Sequence, residues 1–211
     1  MEIFRGWKNY TQKIEKNWRA IVKDDDTVVI PGDISWAMKL SDTYEDFKFI
    51  HNLPGKKIIG KGNHDLWWET LTKMNKYLEK NGFDTISFLF NNAYFADGIA
   101  ICGSRGWFFD DESSDKKVIN REAMRLDTSI REAKKTGLEP TVFLHYPPAT
   151  KDATCDEIMD VLMSNRIKTC YYGHIHGGSR YTCITGEING INFTPISADI
   201  LKFVPKLIKT A

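Results

Sequence analysis

The chain has 211 residues, 42% of them apolar and 27% charged, which suits one globular domain and excludes a disordered polypeptide. With 29 Lys and Arg against 28 Asp and Glu, the net charge is +1, so a strongly basic nucleic-acid footprint is absent. No apolar run approaches the ~18 residues of a membrane span, and residues 1–10 carry no apolar signal-peptide core.

In chain order, residues 10–23 place Tyr10, Ile14, Trp18, Ile21 and Val22 at helical spacing. Val28-Val29-Ile30 reads as a short buried strand stopped by Pro31-Gly32. Residues 42–52 read as a helix with Ser41 or Asp42 as its N-cap, Ile58-Ile59 as a second strand, and residues 67–80 as a helix. Strands follow at 85–90, 93–96 and 98–102, joined by Asn91-Asn92 and Asp97-Gly98 turns. A helix over 121–135, a strand over 141–144, a helix over 155–164 and a strand over 169–172 complete the alternation. Strands near 180–185 and 191–196, with an Asn189-Gly190 turn, close the chain. The pattern predicts a layered α/β domain over residues 1–211. Cys102, Cys155, Cys170 and Cys183 form no CxxC pair and read as reduced core thiols of a cytoplasmic protein.

Four segments share one plan: a short apolar strand, then a metal-capable side chain. They are Pro31-Gly32-Asp33, Gly62-Asn63-His64-Asp65, His145-Tyr146-Pro147 and Gly173-His174-Ile175-His176. Taken singly, Gly-Asp is a turn and a strand-end His is a structural residue. Together they converge, because loops beyond the carboxyl ends of α/β strands meet in space. Imidazole, carboxylate and amide oxygen in one set favour Mn, Fe, Zn, Ni or Co over Ca.

With these residues the sequence resembles the calcineurin-like metallophosphoesterases, whose signature runs D-x-H, G-D, G-N-H-D/E, H, G-H-x-H. Four of the five blocks match, from Gly32 to His176. The resemblance implies a two-sheet α/β sandwich flanked by helices, with two divalent cations at the strand ends. It implies that Asp33 bridges both cations, that Asn63, His145 and His174 complete the second site, and that His176 serves the first. It also implies that His64 acts on the transition state or the leaving oxygen, with Asp65 as its orienting partner. The implied activity is hydrolysis of a small phosphorylated substrate, a monoester or a diester, with nucleic acid entering only as a phosphodiester substrate.

The D-x-H block is absent, and with it the family's first strand. The first cation would then keep only Asp33 and His176, so the expectation is a mononuclear centre or a weakly held second ion. The missing strand would leave unpaired backbone on its neighbours, and the resemblance implies that Met1 is an internal methionine of a longer chain. A catalytically impaired scaffold of the same fold is the alternative, although intact His64 and Gly-His-x-His speak against it.

Aromatic residues crowd the motifs: Trp36, Trp67-Trp68 and Trp107-Phe108-Phe109. Their first reading is burial, and the second is a pocket wall. Trp36 and Arg105 are the candidate substrate contacts, Arg105 through a phosphate oxygen. Asp110-Asp111-Glu112 reads as a solvated loop, and His51 as structural.

Overall fold

The computed structural model describes residues 6–107 and 116–208. The opening residues 1–5, the aromatic pair at 108–109 and the acidic run at 110–112 lie outside the described residues.

Two sheets stack face to face. The first is parallel, in the order β1 (Thr27–Ile30), β2 (Lys56–Ile59), β3 (Ile86–Phe88). The second has six strands in the order β4 (Tyr94–Ala96), β5 (Ile99–Ser104), β6 (Pro140–Leu144), β7 (Thr169–Tyr172), β9 (Ile191–Pro195), β8 (Gly186–Ile188). β5, β6, β7 and β9 are mutually parallel, and β4 and β8 are antiparallel hairpin partners at the two edges.

The central strands β5, β6 and β7 are apolar on both faces because both faces are covered. Along β6, Phe143 faces the other sheet, where it joins Ile58, Ile101 and Tyr171. Its neighbours Val142 and Leu144 face outward onto α4 (Lys116–Lys134) and α5 (Asp156–Ser164). The three-stranded sheet turns Ile59 and Phe88 outward against α2 (Tyr44–His51) and α3 (Leu71–Asn81). The α/β sandwich flanked by helices is therefore the observed architecture.

Asp97-Gly98 and Asn189-Gly190 close the two hairpins, and all four residues have positive φ, as a two-residue turn with right-handed strand twist requires. Asn91-Asn92 does something else. It carries the chain from one sheet to the other, and the Asn92 carboxamide oxygen takes the Phe90 N–H at 2.7 Å, ending β3 early. α3 starts at Leu71 and not at 67, because Trp67 is drawn into the core and its indole N–H bonds Asp65 at 3.1 Å. Residues 177–182 form a 3-10 turn where a strand was expected near 180, and β8 begins only at Gly186. Neither Ser41 nor Asp42 caps α2, since a 3-10 turn over Leu40–Thr43 runs directly into it.

Lys57 is fully buried on β2, a position apolar patterning does not flag. Its ammonium donates to the carbonyls of Leu53 at 2.6 Å, Gly55 at 2.7 Å and His51 at 3.2 Å. It thus satisfies backbone acceptors at and beyond the end of α2. Burial lowers its pKa to about 8, opposed by the charges of Asp84 and Asp24. His51 is structural, its ring bonded to Thr85 at 3.0 Å. The four cysteines are free thiols, three of them buried. Among the described residues no helix is long and apolar enough to cross a membrane.

Among the described residues β1 pairs only with β2, and all four of its residues stay half-exposed. Its open edge borders a cleft of about 1270 Å³ that runs between the sheets. Ile14 and Trp18 of α1 (Tyr10–Ile21) line one wall, and Phe143 and Tyr171 line another. The same cleft reaches Asp33, His145, His174 and His176.

Candidate metal centre

β1 ends at Ile30, and the chain turns through Gly32 (φ 115°) and Asp33 (φ 58°). Left-handed backbone at a non-glycine residue costs free energy and concentrates at functional sites. His174 shares it, with φ 63°. The turn is pressed against the loop after β2. A Cβ on Gly32 would lie 2.3 Å from the Gly62 nitrogen, and a Cβ on Gly62 would lie 2.1 Å from Asp33 Oδ1. Only glycine at both positions lets the loops touch. Asp33 Oδ1 then accepts the His64 N–H at 2.9 Å.

The second sheet supplies the imidazoles. In register, Ser104 of β5 pairs with Leu144 of β6, and Leu144 with Tyr172 of β7. Arg105, His145 and Gly173-His174 therefore leave one edge of the sheet side by side. His145 Nε2 lies 2.8 Å from Asn63 Oδ1 and 3.6 Å from Asp33 Oδ2. His174 Nδ1 lies 3.1 Å from the same Asn63 oxygen. Ligand atoms of Asp33, His145 and His174 all fall within 4.8 Å of one another.

The protonation of His145 follows from its other bond, to the Pro31 backbone. Proline has no N–H, so its carbonyl accepts, and the donor is the ring nitrogen facing away from Asn63, Nδ1. The Nε2 lone pair then points at Asn63 and Asp33. Burial is the main reason the His145 pKa falls to about 3, and the charges of Arg105, His64 and His176 add to it. A neutral imidazole with Nδ1–H on a carbonyl is the tautomer that coordinates metals through Nε2. Carboxylate, amide and imidazole lone pairs thus converge on one point, which is the donor set of a divalent cation.

Asp65 departs from its expected role. It is fully buried, and its two oxygens accept from five donors. Oδ2 takes the N–H groups of Asp33 and Gly62, each at 2.7 Å. Oδ1 takes those of Ile34 at 2.9 Å and Ser35 at 3.3 Å, and the Trp67 indole at 3.1 Å. Asp65 therefore ties the Asp33 turn to the Asn63 loop instead of orienting the His64 ring. Burial pushes its carboxyl up from the usual range, and the N–H of Gly62 pulls against that.

His64 is exposed above the site and stacks on Trp36, with ring centres 4.6 Å apart and planes 21° apart. Trp36 is 60% exposed, so its reading as core fails here and it forms part of the outer wall. His176 shares the cleft but is not part of the Asp33, His145, His174 cluster, and its ring meets Trp7 edge-on at 5.8 Å. Arg105 stacks on Trp107 at 4.6 Å.

Two residues were not singled out by motif reading. Tyr146 places its ring 4.5 Å from that of His174 and 5.1 Å from that of His145. Trp7 packs between Phe203 and His176. Tyr146 directly follows His145, so adjacency was the available signal. Trp7 carried none, because these two partners are 169 or more residues away.

No curated protein matches this sequence. Among solved structures, TT1561 of Thermus thermophilus is similar at 14% identity, with 81% of this chain and 78% of that one covered and a TM-score of 0.52. A second structure, at 11% identity, covers 89% of this chain and 85% of its own, also with a TM-score of 0.52. At such identities the likeness speaks for the fold alone. The family profile described as calcineurin-like phosphoesterase matches residues 4–178, which hold every strand-end ligand described above, and the chain belongs to that family.

Proposed function

We propose that this chain hydrolyses a small phosphorylated substrate, a phosphomonoester or a phosphodiester, with a divalent cation held by Asp33, Asn63, His145 and His174. The observation that carries the reading is the convergence of their lone pairs under an exposed imidazole. Mn, Fe, Zn, Ni and Co suit this donor set. Bound there, the cation supplies Lewis acidity towards a phosphoryl oxygen and a water molecule.

The protein's own groups do the rest. Asp65 holds the Asp33 and Asn63 loops together, so the donors need no rearrangement to bind. His145 keeps its lone pair through the Nδ1–H bond to Pro31. His64, on the solvent side, delivers a proton to the leaving oxygen, a contribution of ~10² to 10⁴ in rate for general acids. Trp36 holds its ring flat and shields one face. The proposed setting is the cytoplasm.

The Asp-x-His strand typical of the family would pair along the open edge of β1, where the cleft leads to Asp33 and His176. Among the described residues, Asp33, His145 and His174 gather ligand atoms for one cation.

The test is manganese-dependent hydrolysis of p-nitrophenyl phosphate and of its bis ester. Turnover is expected to require metal, to fall ~100-fold or more in His64→Ala, and to vanish in Asp33→Asn. A folded, metal-bound chain with no turnover on either ester would overturn this reading and leave the scaffold alternative.

A further inference from the structure

We propose that Lys61, Arg105 and Arg125 form a subsite for a second phosphate group of the substrate, next to the phosphate at the metal centre. The proposal rests on the phosphoesterase reading and narrows its substrate to small molecules with two neighbouring phosphates, such as a nucleoside diphosphate.

Lys61 follows β2, as Asn63 does, and Arg105 follows β5, beside the end of β6 that delivers His145. Together with Arg125 of α4 they line a small cleft with Ser104 and Asn91. Among the described residues Glu122 is the one carboxylate in that lining. One of its oxygens takes the Arg105 backbone N–H at 2.9 Å, and the other pairs with Arg125 at 3.0 Å. Three cations against one carboxylate leave two positive charges in a half-buried cleft. Burial lowers the Lys61 pKa, the charges of Arg105 and Arg125 lower it further, and the carboxylates of Glu122 and Asp65 oppose them. An anion would relieve that repulsion.

The Arg105 guanidinium is flanked by two aromatic rings. It lies 4.6 Å from the centre of the Trp107 ring, and the Tyr146 ring is 5.9 Å away. Stacking uses the guanidinium face and leaves its in-plane N–H fork for a phosphate. Tyr146 then touches His174 at 4.5 Å between ring centres, so one ring separates Arg105 from a metal-ligand candidate. The Tyr146 N–H bonds the Arg105 carbonyl at 2.8 Å, which fixes the two residues relative to each other. Arg105 therefore sits one side chain away from a metal-ligand candidate, in a cleft whose charge is opposite to that of a phosphate group.

The first arm of the test needs no catalysis. Chelator removes the metal, so binding of inorganic phosphate that depends on Lys61 and Arg105 reports on the cationic cleft they line. Calorimetric titration of metal-free protein with inorganic phosphate is expected to show one site. Arg105→Met and Lys61→Met should each weaken it at least tenfold, with thermal melts confirming that they fold. If one variant does not fold, the other decides. No binding by the unaltered chain, or unchanged binding in a folded variant, overturns the proposal. The second arm uses manganese-loaded protein. Adenosine 5′-diphosphate is expected to exceed adenosine 5′-monophosphate at least tenfold in kcat/KM, and Arg105→Met should bring the ratio close to one. Equal kcat/KM for the two nucleotides in the unaltered chain also overturns it. Phosphate binding lost in Arg105→Met, with no turnover of any ester, would keep the subsite and refute the hydrolase reading.

Discussion

The carboxylate of Asp65 accepts the backbone N–H of Asp33 at 2.7 Å, across 32 residues of sequence. The same oxygen takes the Gly62 N–H, so one atom joins the turn after β1 to the loop after β2. The metal-ligand candidates Asp33 and Asn63 sit on those two loops. Asp65→Asn removes one acceptor oxygen and sets an amide donor against backbone donors. Groups that support metal ligands in this way are worth ~10- to 100-fold in affinity, and a buried unsatisfied donor costs ~1–3 kcal/mol. Manganese titration should show the affinity loss and a melt the stability loss. Unchanged metal affinity in the variant would mean that the two loops hold their positions without Asp65.

Gly62 offers a cleaner separation of site from fold. Its added methyl would overlap the Asp33 carboxylate, at 2.1 Å from Oδ1. Gly62→Ala should therefore displace a ligand and abolish metal-dependent turnover. Its secondary structure should persist, since the residue belongs to no helix or strand. Circular dichroism beside the ester-hydrolysis assay separates the two effects.

Acid should destabilise the metal-free protein through His145. Its pKa in the fold is about 3, against the ordinary 6.5. Below pH ~6.5 the unfolded chain binds a proton that the folded one does not, so stability drops as pH falls toward 3 and is complete above 6.5. The slope approaches ~1.4 kcal/mol per pH unit from this group. Urea unfolding between pH 7 and 4 should show a steeper decline for the unaltered chain than for His145→Gln. Parallel curves would mean that His145 takes up its proton in the fold over the same pH range as in the unfolded chain.

Lys57 predicts an effect far from the site. Its ammonium satisfies three carbonyls at 2.6–3.2 Å in a fully buried position. Lys57→Met keeps the volume but leaves those acceptors bare. The expected loss is ~2–4 kcal/mol, in the range for buried polar groups left unpaired. A chemical denaturation midpoint measures it, and manganese affinity should stay unchanged because the Asp33 turn does not involve Lys57.

Short-range chemistry made much of this protein legible in its sequence. Asp-Gly and Asn-Gly specify two-residue turns because their backbone tolerates positive φ. Uninterrupted Val and Ile runs mark strands, although Val28-Val29-Ile30 stays half-exposed and not buried as its composition suggested, and ligand residues after such runs mark the carboxyl edge of a sheet. Asp33, Asn63, His145 and His174 were readable on those grounds. What adjacent residues do for them was not. The sequence cannot say that Asp65 spends its oxygens on backbone N–H groups 30 residues away, that His176 stands apart against Trp7, or that Arg105 lies one ring from His174. Those relations come from register between strands and from the approach of two glycine loops. Chain positions far apart in sequence meet only when both sheets have formed, so their energies are properties of the packed structure.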